Sequence, residues 1–239
     1  IEQDKDIPEV VYIDSHQGHL EKAKPVIEGH ITFMDKASML VAHVVDPQPG
    51  ERILDCCAAP GGKSMHMASL MNNTGAIMSC DIYDHKLDLM NQNAERLGVS
   101  IVSTKLQDGR SLPDNWKEQF DRVLVDAPCS GLGILQKKLD MRWRKTEDLL
   151  NELPPLQLEI LEKASEMVKV NGHLVYSTCT INRGENEDVL EKFLATHKNF
   201  VIDPVSCEGL PPASDGMIST YPPRDHMDGF FMARMKRLS

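Results

Sequence analysis

The chain has 239 residues, 41% of them apolar and 26% charged, which fits one large globular domain with a substantial core. No stretch approaches the roughly 18 uninterrupted apolar residues of a membrane span, and a net charge of −10 excludes a globally basic nucleic-acid binder while leaving room for a local basic strip. Six cysteines without a C-x-x-C pair, two of them adjacent, suit neither a zinc site nor a disulfide framework. A reducing cytoplasmic location, no bound metal, no membrane association and a monomer are therefore expected.

Residues 1–29 are weakly patterned, with one candidate strand at Val10–Ile13, and the chain opens on Ile1 rather than Met. They are expected to be an N-terminal extension or the remnant of an upstream module, with residues 30–239 as the main domain. Asp35 can cap a helix carrying Met39, Leu40, Ala42 and His43, ended by Pro47 and Pro49. Arg52–Cys57 then reads as a first core strand, followed by a helix from Gly62 to Met71. A strand at Ala76–Cys80 closes on Asp81, and a helix from Asp84 to Leu97 stops at Gly98. Strands follow at Ser100–Leu106, Phe120–Val125 and His173–Ser177, the last introduced by an Asn171-Gly172 turn. Leu156, Ile160, Leu161, Ala164, Met167 and Val168 keep helical spacing, as do Val189, Leu190, Phe193 and Leu194. Short strands near Phe200 and at Gly229–Met235 are expected to form a terminal hairpin. Strands alternating with helices predict an α/β fold, a doubly wound and mostly parallel sheet with an antiparallel ending.

In such sheets ligands collect at the carboxyl ends of strands. The chemically notable residues fall there: Asp55 to Gly62, Asp81, Asp108, Asp126-Ala127-Pro128-Cys129 and Thr178-Cys179. Gly62-Lys63-Ser64 matches the end of a phosphate-binding P-loop, and Arg122–Asp126 resembles the strand that accompanies one. But Cys57 stands where that loop needs Gly, and Pro60 removes an N–H from a loop whose purpose is to present them. An adenosyl group fits better. Asp81 lies about 20 residues beyond the glycine pair, where an acid accepts bonds from ribose hydroxyls. Asp108 could bind an adenine amine, and three acids suit a cationic sulfonium better than a polyphosphate. Each acid alone is more ordinarily a cap or turn residue.

Two thiols, Cys129 and Cys179, each sit just past a buried strand. Beside a methyl donor they suggest a specific chemistry, because C5 of a pyrimidine is too poor a nucleophile to attack a sulfonium methyl unaided. A thiolate adding at C6 makes C5 electron-rich, and loss of the C5 proton then expels the thiol. Asp126 could anchor the base and stabilise the developing charge. The residues alone do not choose which thiol attacks.

Cys57-Ala58-Ala59-Pro60-Gly61-Gly62-Lys63, Asp126-Ala127-Pro128-Cys129-Ser130 and Ser177-Thr178-Cys179 together resemble the motifs of RNA cytosine-5 methyltransferases, nearest the bacterial Sun/Fmu (RsmB) type that modifies small-subunit ribosomal RNA. The resemblance runs from about Ile31 to Arg237. It implies a class I S-adenosylmethionine-dependent fold with the 57–63 loop, Asp81, Asp108 and Asp126 lining the cofactor site. It also implies Cys179 as nucleophile, Cys129 as the cysteine assisting product release, and an N-terminal RNA-binding module upstream. The loop 136–145 carries five cations and Trp143, and Lys137, Lys138, Arg142, Trp143 and Arg144 are candidate RNA contacts. The target base must be unpaired or flipped out to reach Cys179. Transfer RNA is the alternative substrate, and a P-loop ATPase or kinase and a non-catalytic RNA-binding assembly factor are the rival functions.

Overall fold

The computed structural model describes residues 1–13, 18–137, 147–206, 209, 211 and 213–239. A small ribbon of β1 (Glu2–Gln3) and β2 (Val11–Tyr12) and a single turn, α1 (Lys24–Ile27), lead into α2 (Lys36–Val45). There follow β3 (Arg52–Asp55), α3 (Gly62–Leu70), β4 (Ala76–Asp81), α4 (Asp84–Arg96), β5 (Val102–Leu106) and β6 (Phe120–Asp126). The second half contains α5 (Glu147–Ser165), β7 (Val168–Thr178), α6 (Glu187–Thr196), β8 (Phe200–Ile202), β9 (Met217–Ser219), α7 (Pro222–Asp225) and β10 (Phe231–Arg237). Among the described residues no helix is long and apolar enough to cross a membrane.

The main sheet has the order β5-β4-β3-β6-β7-β10-β8, with β9 also on β10. Strands β3 to β7 are parallel neighbours, and β10 runs antiparallel to β7, β8 and β9. From β3 the chain steps outward through β4 to β5, then returns to β6 and steps the other way. The reversal opens a crevice above the carboxyl ends of β3 and β6, where an open α/β sheet takes its ligand.

Period-two alternation builds a core on each face. Leu54, Val123, Val125, Leu174, Tyr176, Phe231, Ala233 and Met235 face α5 and α6, against Ile160, Leu161, Ala164, Val189 and Phe193. Ile53, Leu124, Val175 and Met232 face α2 and α3, against Leu40, Val41, Val44, Met67 and Met71. Asp35 caps α2 as expected, accepting from Ala37 N at 2.9 Å. In the N-terminal segment Ile7 and Val10 are buried in the α2–α3 core, and Asp4 accepts from Lys36 Nζ at 2.6 Å.

Three expectations change. Asn171-Gly172 does not start β7 but bulges within it: Asn171 has φ 67°, and the register with β6 jumps from Phe120↔Val168 to Arg122↔His173. Helix α5 begins well before Leu156 and holds Pro154 and Pro155 inside it, where neither can donate to the helix ladder. The terminal strands β8 and β10 do pair antiparallel as expected, but β9 and α7 lie between them in sequence, and β10 also pairs β7 and, along its first half, β9. Strand β9 spans only three residues, too few for alternation to be visible.

Leu124 is fully buried on the central strand. Leu124→Ala is expected to lower the unfolding free energy by about 2–5 kcal/mol, read as a shift in the urea midpoint at unchanged slope.

Candidate active site

The crevice floor is the turn between β3 and α3. Ala58 N donates to Cys80 O at 2.8 Å and Gly61 N to Ala58 O at 2.8 Å, so the backbone folds back on itself before the helix. Gly61 has φ 100°, and a Cβ there would stand 2.8 Å from Met90 Cγ, so only glycine fits. Helix α3 starts without a side-chain cap, which leaves its first N–H groups as donors facing the crevice. Asp81 pins the turn from the next strand, accepting from Ala59 N at 3.1 Å and Tyr83 N at 3.1 Å. Beneath it Asp55 is wholly buried. Its Oδ2 accepts from Ser64 Oγ at 2.7 Å, its Oδ1 has no partner, and burial pushes its carboxyl up to about 7.

On the other wall, Asp126 ends β6 between two donors: Lys63 Nζ at 2.6 Å and Ser177 Oγ at 2.8 Å. Lys63 Nζ also lies 5.3 Å from the centroid of the Phe230 ring. Burial would lower the Lys63 ammonium, but Asp126 holds it above its usual range. Next to this pair Cys129 Sγ and Cys179 Sγ are 3.2 Å apart, and Cys179 N donates to Cys129 Sγ at 3.3 Å. The thiols are driven in opposite directions. Donation from Cys129, aided by Lys63, carries Cys179 below the usual thiol value against burial and the Asp126 charge; Cys129, as donor and buried, rises well above it. The shared hydrogen bond and the nearby ammonium thus favour the anionic form of Cys179 over that of Cys129.

A buried polar network holds the two cysteine loops. Glu185 accepts from Ser130 N at 2.8 Å, Gln157 Nε2 at 3.0 Å and Asn182 Nδ2 at 3.0 Å. Gln157 Nε2 also donates to Pro128 O at 2.9 Å, and Tyr176 Oη to Glu185 O at 2.6 Å. Ser130 and Thr180 hydroxyls meet at 2.8 Å, and Thr178 Oγ1 donates to Asn186 Oδ1 at 2.6 Å. The loop beyond Cys129 is clamped as well: Gly133 N donates to Cys179 O at 3.1 Å and Gly229 N to Gly133 O at 2.9 Å. A Cβ on Gly133 would lie 1.8 Å from Gly229 O.

Of the residues picked out in sequence, Cys57 to Lys63, Asp81, Asp126, Cys129 and Cys179 line one crevice. Asp108 stands at the next strand end, where its carboxylate accepts from Arg110 N at 2.9 Å and from Arg110 Nη2 at 2.6 Å. Lys137 pairs with both Asp35 and Asp228. Lys138, Arg142, Trp143 and Arg144 lie outside the described residues, as does Cys207. Cys56 and Cys80 are buried, with pKa values raised by burial, the latter to about 12. The P-loop reading fails on charge: the Lys63 ammonium that would meet a phosphate is held by Asp126. Sequence reasoning missed Ser177, Glu185, Gln157, the Gly133–Gly229 contact and Phe230. Only Ser177, adjoining Thr178-Cys179, carried a local signal.

The family described as 16S rRNA methyltransferase RsmB/F matches residues 42–236. The chain belongs to that family. It is 42% identical, over 87% of its length and 48% of the relative's, to the probable ribosomal RNA small subunit methyltransferase B of Bacillus subtilis. The Synechocystis protein of the same description is 37% identical over 97% of this chain and 53% of its own. The crystal structure of NSun6 from Pyrococcus horikoshii with SFG is 30% identical, with a TM-score of 0.85 over 93% of this chain and 57% of that one. The class I methyltransferase fold is thereby established, and the chain spans about half the length of the curated relatives it matches.

Lys63 and Asp126 bias the Cys179 thiolate in opposite senses. Lys63→Met is expected to move the pH midpoint of Cys179 alkylation by iodoacetamide upward, and Asp126→Asn to move it downward, both read by mass spectrometry of the modified peptide.

Proposed function

We propose that this chain is the catalytic part of an S-adenosylmethionine-dependent enzyme that methylates C5 of a cytosine in small-subunit ribosomal RNA, through a covalent adduct at Cys179. The observation that carries the reading is the 3.2 Å contact of Cys129 and Cys179 beside an Asp126 held by Lys63. The names of the relatives, small subunit methyltransferases B, support ribosomal RNA as the substrate.

The residues fit the cofactor. Gly61 leaves no Cβ in the turn, α3 offers uncapped N–H groups for a carboxylate, and Asp81 stands at the neighbouring strand end for ribose hydroxyls. When bound, the sulfonium supplies an electrophilic methyl group. The chain's residues do the rest. The Asp126 carboxylate accepts from the exocyclic amine of the flipped cytosine, while Lys63 balances its charge. The Cys179 thiolate adds to C6, forming a C–S bond and moving an electron pair to C5, which would bond the donor's methyl carbon and so carry both methyl and hydrogen. Once bonded to carbon, the Cys179 sulfur no longer takes the Cys129 hydrogen bond, the leading cause of Cys129's raised pKa. Cys129 is then eased toward the thiolate, gives up its own proton to solvent, and as the thiolate can take the C5 proton. The electron pair of that C–H bond re-forms the C5–C6 double bond and expels Cys179.

RNA carrying 5-fluorocytosine, from which C5 cannot lose a proton, is expected to trap a covalent complex with the wild type and none with Cys179→Ala. An adduct that survives Cys179→Ala and vanishes in Cys129→Ala would reverse the assignment. Ordinary RNA is expected to accumulate the adduct on Cys129→Ala, seen as a band stable to denaturing electrophoresis.

The rate of adduct formation should rise with pH through the depressed pKa of Cys179 and then level. Without the Cys129 donor that pKa returns upward, so the single-turnover profile of Cys129→Ala is expected to be displaced to higher pH.

A further inference from the structure

Away from the crevice, three side chains from three elements converge under the N-terminal segment. Glu9 Oε1 lies 2.6 Å from His43 Nε2 and 3.0 Å from His66 Nε2. Glu9 lies just before β2, His43 is near the end of α2, and His66 is in α3, just beyond Lys63. The imidazoles meet edge to face, with centroids 5.4 Å apart and planes at 71°, and both turn Nε2 toward one carboxylate oxygen. Among the described residues this is the one group of three or more His, Cys, Asp or Glu whose ligand atoms all lie within 4.8 Å of one another.

We propose that Glu9, His43 and His66 form a binding site for a divalent transition-metal ion of the zinc class, which fastens the N-terminal segment to α2 and α3. Two imidazoles and a carboxylate are a donor set that zinc takes in three-ligand sites, with water in the fourth position. Around a tetrahedral ion with bonds near 2.0–2.1 Å the donor atoms stand about 3.3 Å apart. The two Glu9–imidazole separations therefore need less than about an ångström of opening, within the reach of a side-chain rotation at Glu9, and the two imidazole nitrogens already lie within 4.8 Å of each other. The burial pattern is graded for entry: the side chain of His66 is 7% exposed, that of His43 23% and that of Glu9 33%. His66 anchors the site and Glu9 opens it to solvent.

The tautomer of His66 points the same way. Its Nδ1 is buried and has no hydrogen-bond partner. With Nε2 donating to Glu9, a neutral ring leaves a bare lone pair inside the protein. With Nε2 on a metal, the proton moves to Nδ1, toward an acceptor such as the Met39 carbonyl that adjoins the ring, the arrangement usual for metal-bound imidazole. Positions 9, 43 and 66 have no recognisable ligand spacing, and the expectation of no metal rested on the cysteines alone. Ile7 and Val10 pack into the α2–α3 core on either side of Glu9, so the ion would close a seam that apolar contacts already align.

The test is a titration of chelator-stripped protein with Co2+ and then Zn2+. One Co2+ per chain is expected, with visible ligand-field bands and no thiolate charge-transfer band, unchanged in the Cys129→Ser/Cys179→Ser double variant and lost in His43→Gln and Glu9→Gln. Glu9→Gln keeps an oxygen able to accept from both rings, so a purely hydrogen-bonded clasp would survive it. Zn2+ should accordingly raise the melting temperature of the wild type and leave that of Glu9→Gln unmoved. Absence of stoichiometric Co2+ binding, bands that persist in both Glu9→Gln and His43→Gln, or bands that disappear with the two cysteines would each overturn the proposal.

Discussion

The buried carboxylate of Glu185 is the constraint on which the reactive site rests. It has no solvent exposure, and a buried charge is tolerated only when its lone pairs are met by donors. Those donors come from the Cys129 loop, from α5 and from the turn after Cys179. Because each segment must reach the same two oxygens, their relative positions are set, and the two sulfurs are left at hydrogen-bonding distance. The Gly133–Gly229 contact closes the arrangement from outside, where a single methyl group would force the backbones apart.

Electrostatics then give two chemically alike thiols different roles. Their hydrogen bond and the nearby ammonium shift Cys179 below the usual thiol value, while the same bond and burial shift Cys129 above it. Asp126 opposes the Cys179 thiolate, and Lys63 tempers that opposition by pairing with Asp126 directly. One lysine from the β3–α3 turn thus serves the base-anchoring acid and the attacking sulfur together, which couples the cofactor loop to the reacting edge of the sheet.

The order of layers was legible in the sequence because hydrophobic periodicity reports burial directly. Strands β3 to β6 and helices α2 to α4 follow the apolar spacing closely, and Asp35 and Gly61 carry local backbone chemistry that needs no tertiary information. The misses have physical causes. Helical spacing shows only from Leu156 onward, so the first turns of α5 were not seen; β9 is too short to show alternation; and the chain between β8 and β10 runs through β9 and α7.

By itself the sequence determined the fold class, the crevice and the identity of the residues gathered there, since each follows from spacing along the chain and from the rule that strand ends share one edge. That the two thiols touch, what Lys63 contacts, and that Glu185 organises the loops were decided only by tertiary structure. Those facts depend on distances of about 3 Å between residues as far apart as 50 or more positions, and hydrogen bonding and desolvation at that range leave no periodic trace in the order of amino acids.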